Sequence, residues 1–407
     1  MATQGGAFLG NLIVARILGR EGYGGFVIIS STVLAVAGVA QLATGVTATK
    51  FVAEFAASDP RRAGRVLGLC QLVGVATGLL ASLALLIGAR PLATNLLHVP
   101  ALAPQFAITA GYVFFAVATG VLQGALTGLE AFRPLAIASV AQGALNVAFC
   151  WWGARNFGLT GAACAMVVSA LARWGLWFAL LARVCRNRGV PITVRDALKE
   201  RQVLFGFAIP AALGGFSSMP ALWAANAILV RQGKDLAQMA YFGAAMNLKT
   251  LILFVPLVID GVATALLNSE RGAGNEQKFR RMFKLNLATT SVVAAALTIG
   301  SSVLARPLMA LFGSEFVAGA AILRLLAVAA CIQALMGPFY QLIQTRGRMW
   351  FSLFAVALPR DVLMVVLAFL LTSDYGAMGL AWAQLLAWIL AFAVVFAATG
   401  GWRREAQ

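Results

Sequence analysis

Charge is what this sequence lacks most, and acid above all. Only 11% of its 407 residues are charged, with 14 acids against 31 bases. A soluble globular chain carries about 25% charged residues, so this one could not cover the surface of a soluble domain of its length. Histidine is almost missing too. His98 stands alone beside Pro100, in an expected outer loop, where an ordinary exposed side chain is the plain reading. No HExxH, CxxC or GxxxxGK[ST] pattern occurs, which removes support for metal hydrolysis, dithiol redox and P-loop ATP hydrolysis. The apolar stretches hold no histidine to ligate haem. The five cysteines, Cys70, Cys150, Cys164, Cys185 and Cys331, are scattered and fit small buried hydrophobes better than a disulfide framework. The expectation is therefore no enzyme, no cofactor and no metal.

What is there is hydrocarbon. Hydrophobic residues make up 61% of the chain, and the mean hydropathy is +0.87. A spanning helix needs about 20 mostly apolar residues, and twelve candidate segments meet or approach that length. Those of the first half are Thr3–Leu18, Gly24–Val46, Val66–Ala89, Ala103–Leu126, Pro134–Trp152 and Gly161–Leu181. Those of the second are Phe205–Val230, Met239–Leu267, Leu285–Leu304, Phe316–Ile343, Phe351–Leu371 and Gly379–Ala398. The first segment is short and has no basic residue before Arg16, so it is not a signal peptide; the natural start is expected upstream of Met1.

The charge excess separates by side. Alternating the loops of a twelve-span arrangement puts twenty Lys and Arg on one side and seven on the other. Four remain inside the spans: Arg173, Lys249, Arg324 and Arg360. Positive residues stay cytoplasmic, so both termini are expected there, in a bacterial inner membrane. The same asymmetry makes a nucleic-acid partner unnecessary, because basic loops face anionic headgroups.

The two halves share a pattern. Ala89-Arg-Pro-Leu92 recurs as Ala305-Arg-Pro-Leu308, at an offset of 216. Asn11-Leu-Ile-Val-Ala-Arg16 resembles Asn226-Ala-Ile-Leu-Val-Arg231 at 215, and Gln123 matches Gln341 at 218. Asn156-Phe-Gly-Leu-Thr-Gly161 resembles Asp374-Tyr-Gly-Ala-Met-Gly379, also at 218. An even number of spans per half makes the repeat parallel, about an axis along the membrane normal. Transporters built this way place substrate between the halves and alternate access. The expected fold is thus an all-α integral membrane protein of about twelve transmembrane helices in two six-helix lobes. The lobes are residues 1–183 and 203–407, joined by a basic cytoplasmic linker at 184–202 with a surface helix over Val194–Gln202.

Ionisable residues inside a membrane are costly and mark cavities or partners. Lys249 and Asp260 are eleven residues apart, which returns them to one helix face about 16 Å apart along the axis. A polar cavity wall is one reading, with Lys249 attracting an anion and Asp260 serving a cation or proton. The plain one has Asp260 near the cytoplasmic end and Lys249 snorkelling to the interface. Arg360 and Asp361 are adjacent in span eleven, as cavity charges or as a local pair. Arg173 has no evident partner along the chain, whereas Arg324 fits a snorkelling position. Arg16 and Arg231 end the first spans of the two halves at matching places. They could hold a pyrophosphate, for which guanidinium geometry is suited, or anchor two helix ends.

The run Ala15-Arg-Ile-Leu-Gly-Arg-Glu-Gly-Tyr-Gly24 resembles the turn after the first helix of polysaccharide flippases. These are the O-antigen-type oligosaccharide transporters of the multidrug/oligosaccharidyl-lipid/polysaccharide (MOP) exporter superfamily. Gly45–Glu54 leading into Asp59-Pro-Arg-Arg62, and the Phe157-Gly-Leu-Thr-Gly-Ala162 turn with its Tyr375-Gly-Ala-Met-Gly379 counterpart, are similar as well. The resemblance implies two six-helix lobes in a V around a central cavity. It implies movement of an undecaprenyl-pyrophosphate-linked glycan to the outer leaflet, with Arg16, Arg231 and Lys249 as the cations that meet the pyrophosphate. It further implies a monomer working with a polysaccharide polymerase and other assembly proteins. A cation-coupled multidrug exporter of the same superfamily is the competing function, with Asp260 as its coupling acid. A membrane glycosyltransferase would want acids in large outer loops, and those loops hold only Glu21, Asp235, Glu315 and Asp374.

Overall fold

The computed structural model describes residues 2–193, 196–203, 208, 218–233, 235–272, 276–345 and 349–400. Every regular element among them is helical. The chain packs as two units, Met1–Trp223 and Ala224–Gln407, each with its own core.

The first unit is built from α1 (Ala2–Ala40), α2 (Thr44–Phe55), α3 (Pro60–Pro91), α4 (Ala103–Gly128) and α5 (Phe132–Arg188). Neither α1 nor α5 is straight. Gly19 in α1 and Gly158 in α5 have φ of 66° and 58°, a left-handed conformation that glycine adopts without steric cost. Each turns its helix back on itself. The hydroxyl of Tyr23 reaches Oδ1 of Asn11 at 3.4 Å, where twelve residues of straight helix would separate them by about 18 Å. In α5 a side chain at Gly161 would collide with the carbonyl of Gly153. The arms 2–18, 20–40, 132–157 and 159–188 are therefore separate spans.

In the second unit α7 (Leu236–Gly272), α8 (Glu276–Val303) and α9 (Ala320–Thr345) follow α6 (Ser218–Gln232), in which the chain passes from one unit to the other. α10 (Leu358–Gly400) doubles back at Gly376, φ 53°. Gly376 lies 218 residues after Gly158. A side chain at Gly379 would meet the Leu371 carbonyl, as one at Gly161 would meet Gly153. The matched strings of the two halves therefore build the same turn. Among the described residues, eight helices are long and apolar enough to cross a membrane. Three of them are these hairpins, and with α6 the spans number twelve, six to each half. Apart from Ala208, the residues of expected span seven before Ser218 lie outside the described residues, as do Val194 and Arg195 of the expected surface helix.

Two segments run differently from expectation. Span two does not end near Val46. It breaks at Gln41–Ala43, where Leu42 and Ala43 have φ of 43° and 53°, and resumes as α2 to Phe55. Close packing holds the second piece. Gly120, Gly124 and Gly128 stand four residues apart on α4, and Thr49 Oγ1 donates to the Gly124 carbonyl at 3.0 Å. A Cβ on Gly128 would stand 2.6 Å from the Thr49 carbonyl, and one on Gly45 would stand 2.8 Å from that of Gly120. Small residues at this spacing let helix backbones approach where lipid offers no hydrophobic drive. The second difference is at the linker. α5 continues to Arg188, so Arg183, Arg186 and Arg188 are helical. The described residues that follow it pack within the first unit. Val190 joins a core with Trp177, Leu181 and Cys185, and Glu200 takes Arg62 and Arg65, both at 3.2 Å.

Candidate functional site

The second unit gathers polar side chains in two places. At the first, α7 brings Lys249 against both arms of α10. Lys249 is 4% exposed, and its Nζ donates to Oε1 of Gln384 at 3.1 Å. One turn further along α10 stands Trp388, whose ring centroid lies 5.8 Å from Lys249 Nζ and 4.6 Å from the Arg360 guanidinium carbon. Arg360 donates from Nε and Nη2 to Oδ1 of Asp361, at 2.8 and 2.6 Å. Lys249, Arg360 and Asp361 carry one net formal positive charge, and an aromatic face helps to hold two cations inside the helices.

At the second place Asp260, also on α7, meets α8 and α9. Asn286 Nδ2 donates to Asp260 Oδ1 at 3.4 Å and to Gln341 Oε1 at 3.2 Å. Gln341 Nε2 donates to the Asp260 backbone carbonyl at 3.1 Å. Gly337 leaves the Asp260 carboxylate its space, since a Cβ there would overlap Oδ2. Lys249 and Asp260 thus serve different neighbours, a cationic cluster and a carboxylate–amide cluster, instead of one continuous polar wall.

In the first unit Arg173 stands near the middle of the arm 159–188. It interrupts a ridge at four-residue spacing whose other members, Gly161, Ala165, Ser169, Trp177, Leu181 and Cys185, are all buried. Arg173 Nε, Ser169 Oγ and Trp177 Nε1 are buried without a hydrogen-bond partner among the described residues. A cation held so near a helix centre is costly, which makes Arg173 a functional candidate on physical grounds.

The structure places the remaining predicted residues at surfaces of their own units. Arg16 and Arg231 are exposed at their helix ends. Arg324 donates to the Ser302 carbonyl at 3.2 Å from an exposed position, in keeping with a snorkelling side chain. His98 is exposed, and the five cysteines are free thiols. Of the predicted set, Lys249, Arg360 and Asp361 come together, while Asp260 and Arg173 each stand elsewhere. Sequence reasoning missed Gln384, Trp388, Asn286 and Gln341. Only Gln341 carried a signal, its match to Gln123 in the repeat.

No protein-family model matches the chain. It is similar to the EPS I polysaccharide export inner membrane protein EpsE of Ralstonia nicotianae, 27% identical over 381 residues, 93% of this chain and 86% of that protein. Among solved structures it is similar to the inward-facing conformation of a multidrug resistance MATE family transporter of the MOP superfamily. The TM-score there is 0.85 at 19% identity, over 100% of this chain and 97% of the other. It is also similar to the lipid II flippase MurJ, with a TM-score of 0.75 at 13% identity, over 98% and 86% of the two chains. A MOP superfamily transporter from Pyrococcus furiosus, described by the reversed polarity of its binding pocket, gives 0.71 at 19% identity, over 100% and 93%. The protein has the twelve-helix, two-lobe fold of these transporters.

Proposed function

We propose that this protein is a transporter of the bacterial cytoplasmic membrane. It flips an undecaprenyl-pyrophosphate-linked oligosaccharide from the cytoplasmic to the outer leaflet by alternating access, for polysaccharide biosynthesis. The observation that carries the reading is the pairing of buried Lys249 and half-buried Arg360 about Trp388, with Asp361 as the acid beside them. A planar guanidinium binds phosphate oxygens in bidentate fashion, and an ammonium adds a point charge. In this reading an arriving phosphate competes with Asp361 for Arg360 and with Gln384 for Lys249, so the site is preorganised by its own polar groups. The likeness to a polysaccharide export protein supports the same substrate class. Arg16, Arg231 and Arg173 are further candidates for contact with the anionic head, with a polysaccharide polymerase as the partner that takes the product.

The test is deletion of the gene followed by lipid analysis. The expected result is accumulation of one lipid-linked oligosaccharide on the cytoplasmic face. Unchanged lipid intermediates with a new drug sensitivity would overturn the reading. That outcome belongs to a second one, a cation-coupled multidrug exporter, which the carboxylate–amide cluster at Asp260 favours. There Asp260→Asn would abolish drug export and leave lipid intermediates untouched.

A further inference from the structure

In the first unit, α3 and the arm 20–40 of α1 enclose with the start of α6 a cavity of about 680 Å³. Its wall on α3 is a face of Thr77, Ala81, Ala84 and Gly88, residues spaced three and four apart, so that they stack on one side of the helix. Opposite stand Val36, Val39 and Leu42, the last at the break in span two, and Trp223 closes one side. The lining holds two hydroxyl side chains, and both are engaged. Thr32 Oγ1 donates to the Ile28 carbonyl at 2.8 Å and accepts from Trp223 Nε1 at 2.9 Å. Thr77 Oγ1 donates to the Val73 carbonyl at 2.9 Å.

A water in such a space needs two to four polar partners, and a sugar brings hydroxyls that each need one. The side chains here offer neither, so the fitting occupant is hydrocarbon. The cavity also continues into an apolar outer surface. Leu80, on its rim, is 67% exposed, and Leu83 and Ile87 beside it are exposed as well. A chain moving in from lipid gains no hydrophobic burial, because lipid tails are as apolar as leucine. It gains dispersion contacts with the cavity walls to the extent that its shape fits them, so selection there follows shape.

We propose that this cavity seats the polyprenyl chain of the lipid-linked substrate, an inference that rests on the flippase reading above. The first unit would then contribute a place for hydrocarbon, chemically distinct from the cationic cluster of the second unit.

The test is photolabelling of the purified full chain in phospholipid nanodiscs, using undecaprenyl phosphate that carries a benzophenone on its tail and no glycan. Adducts are expected on residues 32–42, 77–92 or Trp223. Ala84→Trp and Gly88→Trp each fill the cavity and should lower labelling about tenfold. A side chain at Gly88 meets nothing within 4 Å, so that variant is expected to fold, which a monodisperse elution profile checks. Leu86→Trp, two residues from Ala84 and on the opposite face of the helix, should leave labelling unchanged. Equal labelling of the same residues by a benzophenone phosphatidylglycerol would overturn the proposal, since any acyl chain would then serve. Adducts elsewhere, together with normal glycan-lipid export, would overturn it alone. Absence of specific adducts together with normal lipid intermediates in a deletion strain would overturn both it and the flippase reading.

Discussion

Lys249 and Arg360 are separated by 111 positions in the chain, and Trp388 is the side chain they share. Removing either cation is expected to cost a charge-assisted interaction of about 1.5–3 kcal/mol with an anionic head, which is about ten- to a hundredfold in transport. Surface polysaccharide in a complemented deletion strain, at matched protein level, measures it for Lys249→Ala and Arg360→Ala. Asp361 plays a different part. Asp361→Asn removes the carboxylate that accepts from Arg360 Nε and Nη2, and losing a charge-assisted interaction costs about 1.5–3 kcal/mol; thermal unfolding in detergent should show that loss. Arg173 is expected to behave in the opposite sense. Its Nε has no partner among the described residues, so Arg173→Leu should raise the unfolding temperature while lowering transport. A variant less stable than the parent would show instead that Arg173 is structural. At this scale the sequence displayed charges well and neutral partners poorly. Lys249, Arg360, Asp361 and Arg173 stand out because a charge interrupts an apolar run. Gln384, Asn286 and Gln341 do not, because one amide among leucines and alanines scarcely changes hydropathy, and its partners come from distant helices.

Among the elements, the hairpins were the most legible. The strings around Gly158 and Gly376 match in sequence, and their backbones turn alike. They also separate two kinds of cost. A Cβ at Gly158 meets nothing within 4 Å, so Gly158→Ala should lose only the backbone strain of a residue at φ 58° and ψ −138°, about 1–3 kcal/mol. Gly161→Ala places a methyl against the Gly153 carbonyl and must force the two arms apart, so it should lose more. Unfolding of the two variants side by side checks the order. The break at Gln41–Ala43 was not legible, for the complementary reason. Gln41-Leu-Ala-Thr44 holds neither glycine nor proline. The left-handed residues are a leucine and an alanine, held there while α2 packs against the glycines of α4. Tertiary contact imposes that break, and no local propensity announces it. The extra turns of α5 to Arg188 were hidden similarly, since basic residues suit a helix that leaves the membrane as well as they suit a loop.

For the whole molecule, scarcity of charge was enough to point to a membrane protein. Twelve spans in two halves followed from apolar length and the repeat, and the fold agrees with them. Substrate was less legible, because the fold alone is shared by multidrug transporters and by a lipid flippase. The difference between those functions must lie in the polarity of a few buried side chains. The central claim, that Lys249 and Arg360 serve the movement of a lipid-linked anionic glycan, is tested most directly in proteoliposomes. The measurement is the fraction of polyprenyl-pyrophosphate-linked oligosaccharide that becomes accessible to an impermeant reagent outside the vesicles. The account predicts that the intact chain raises this fraction with time, and that Lys249→Ala and Arg360→Ala slow it without changing reconstitution. A glycolipid that stays on its starting leaflet, in vesicles where the same protein exports a cationic dye, would contradict it.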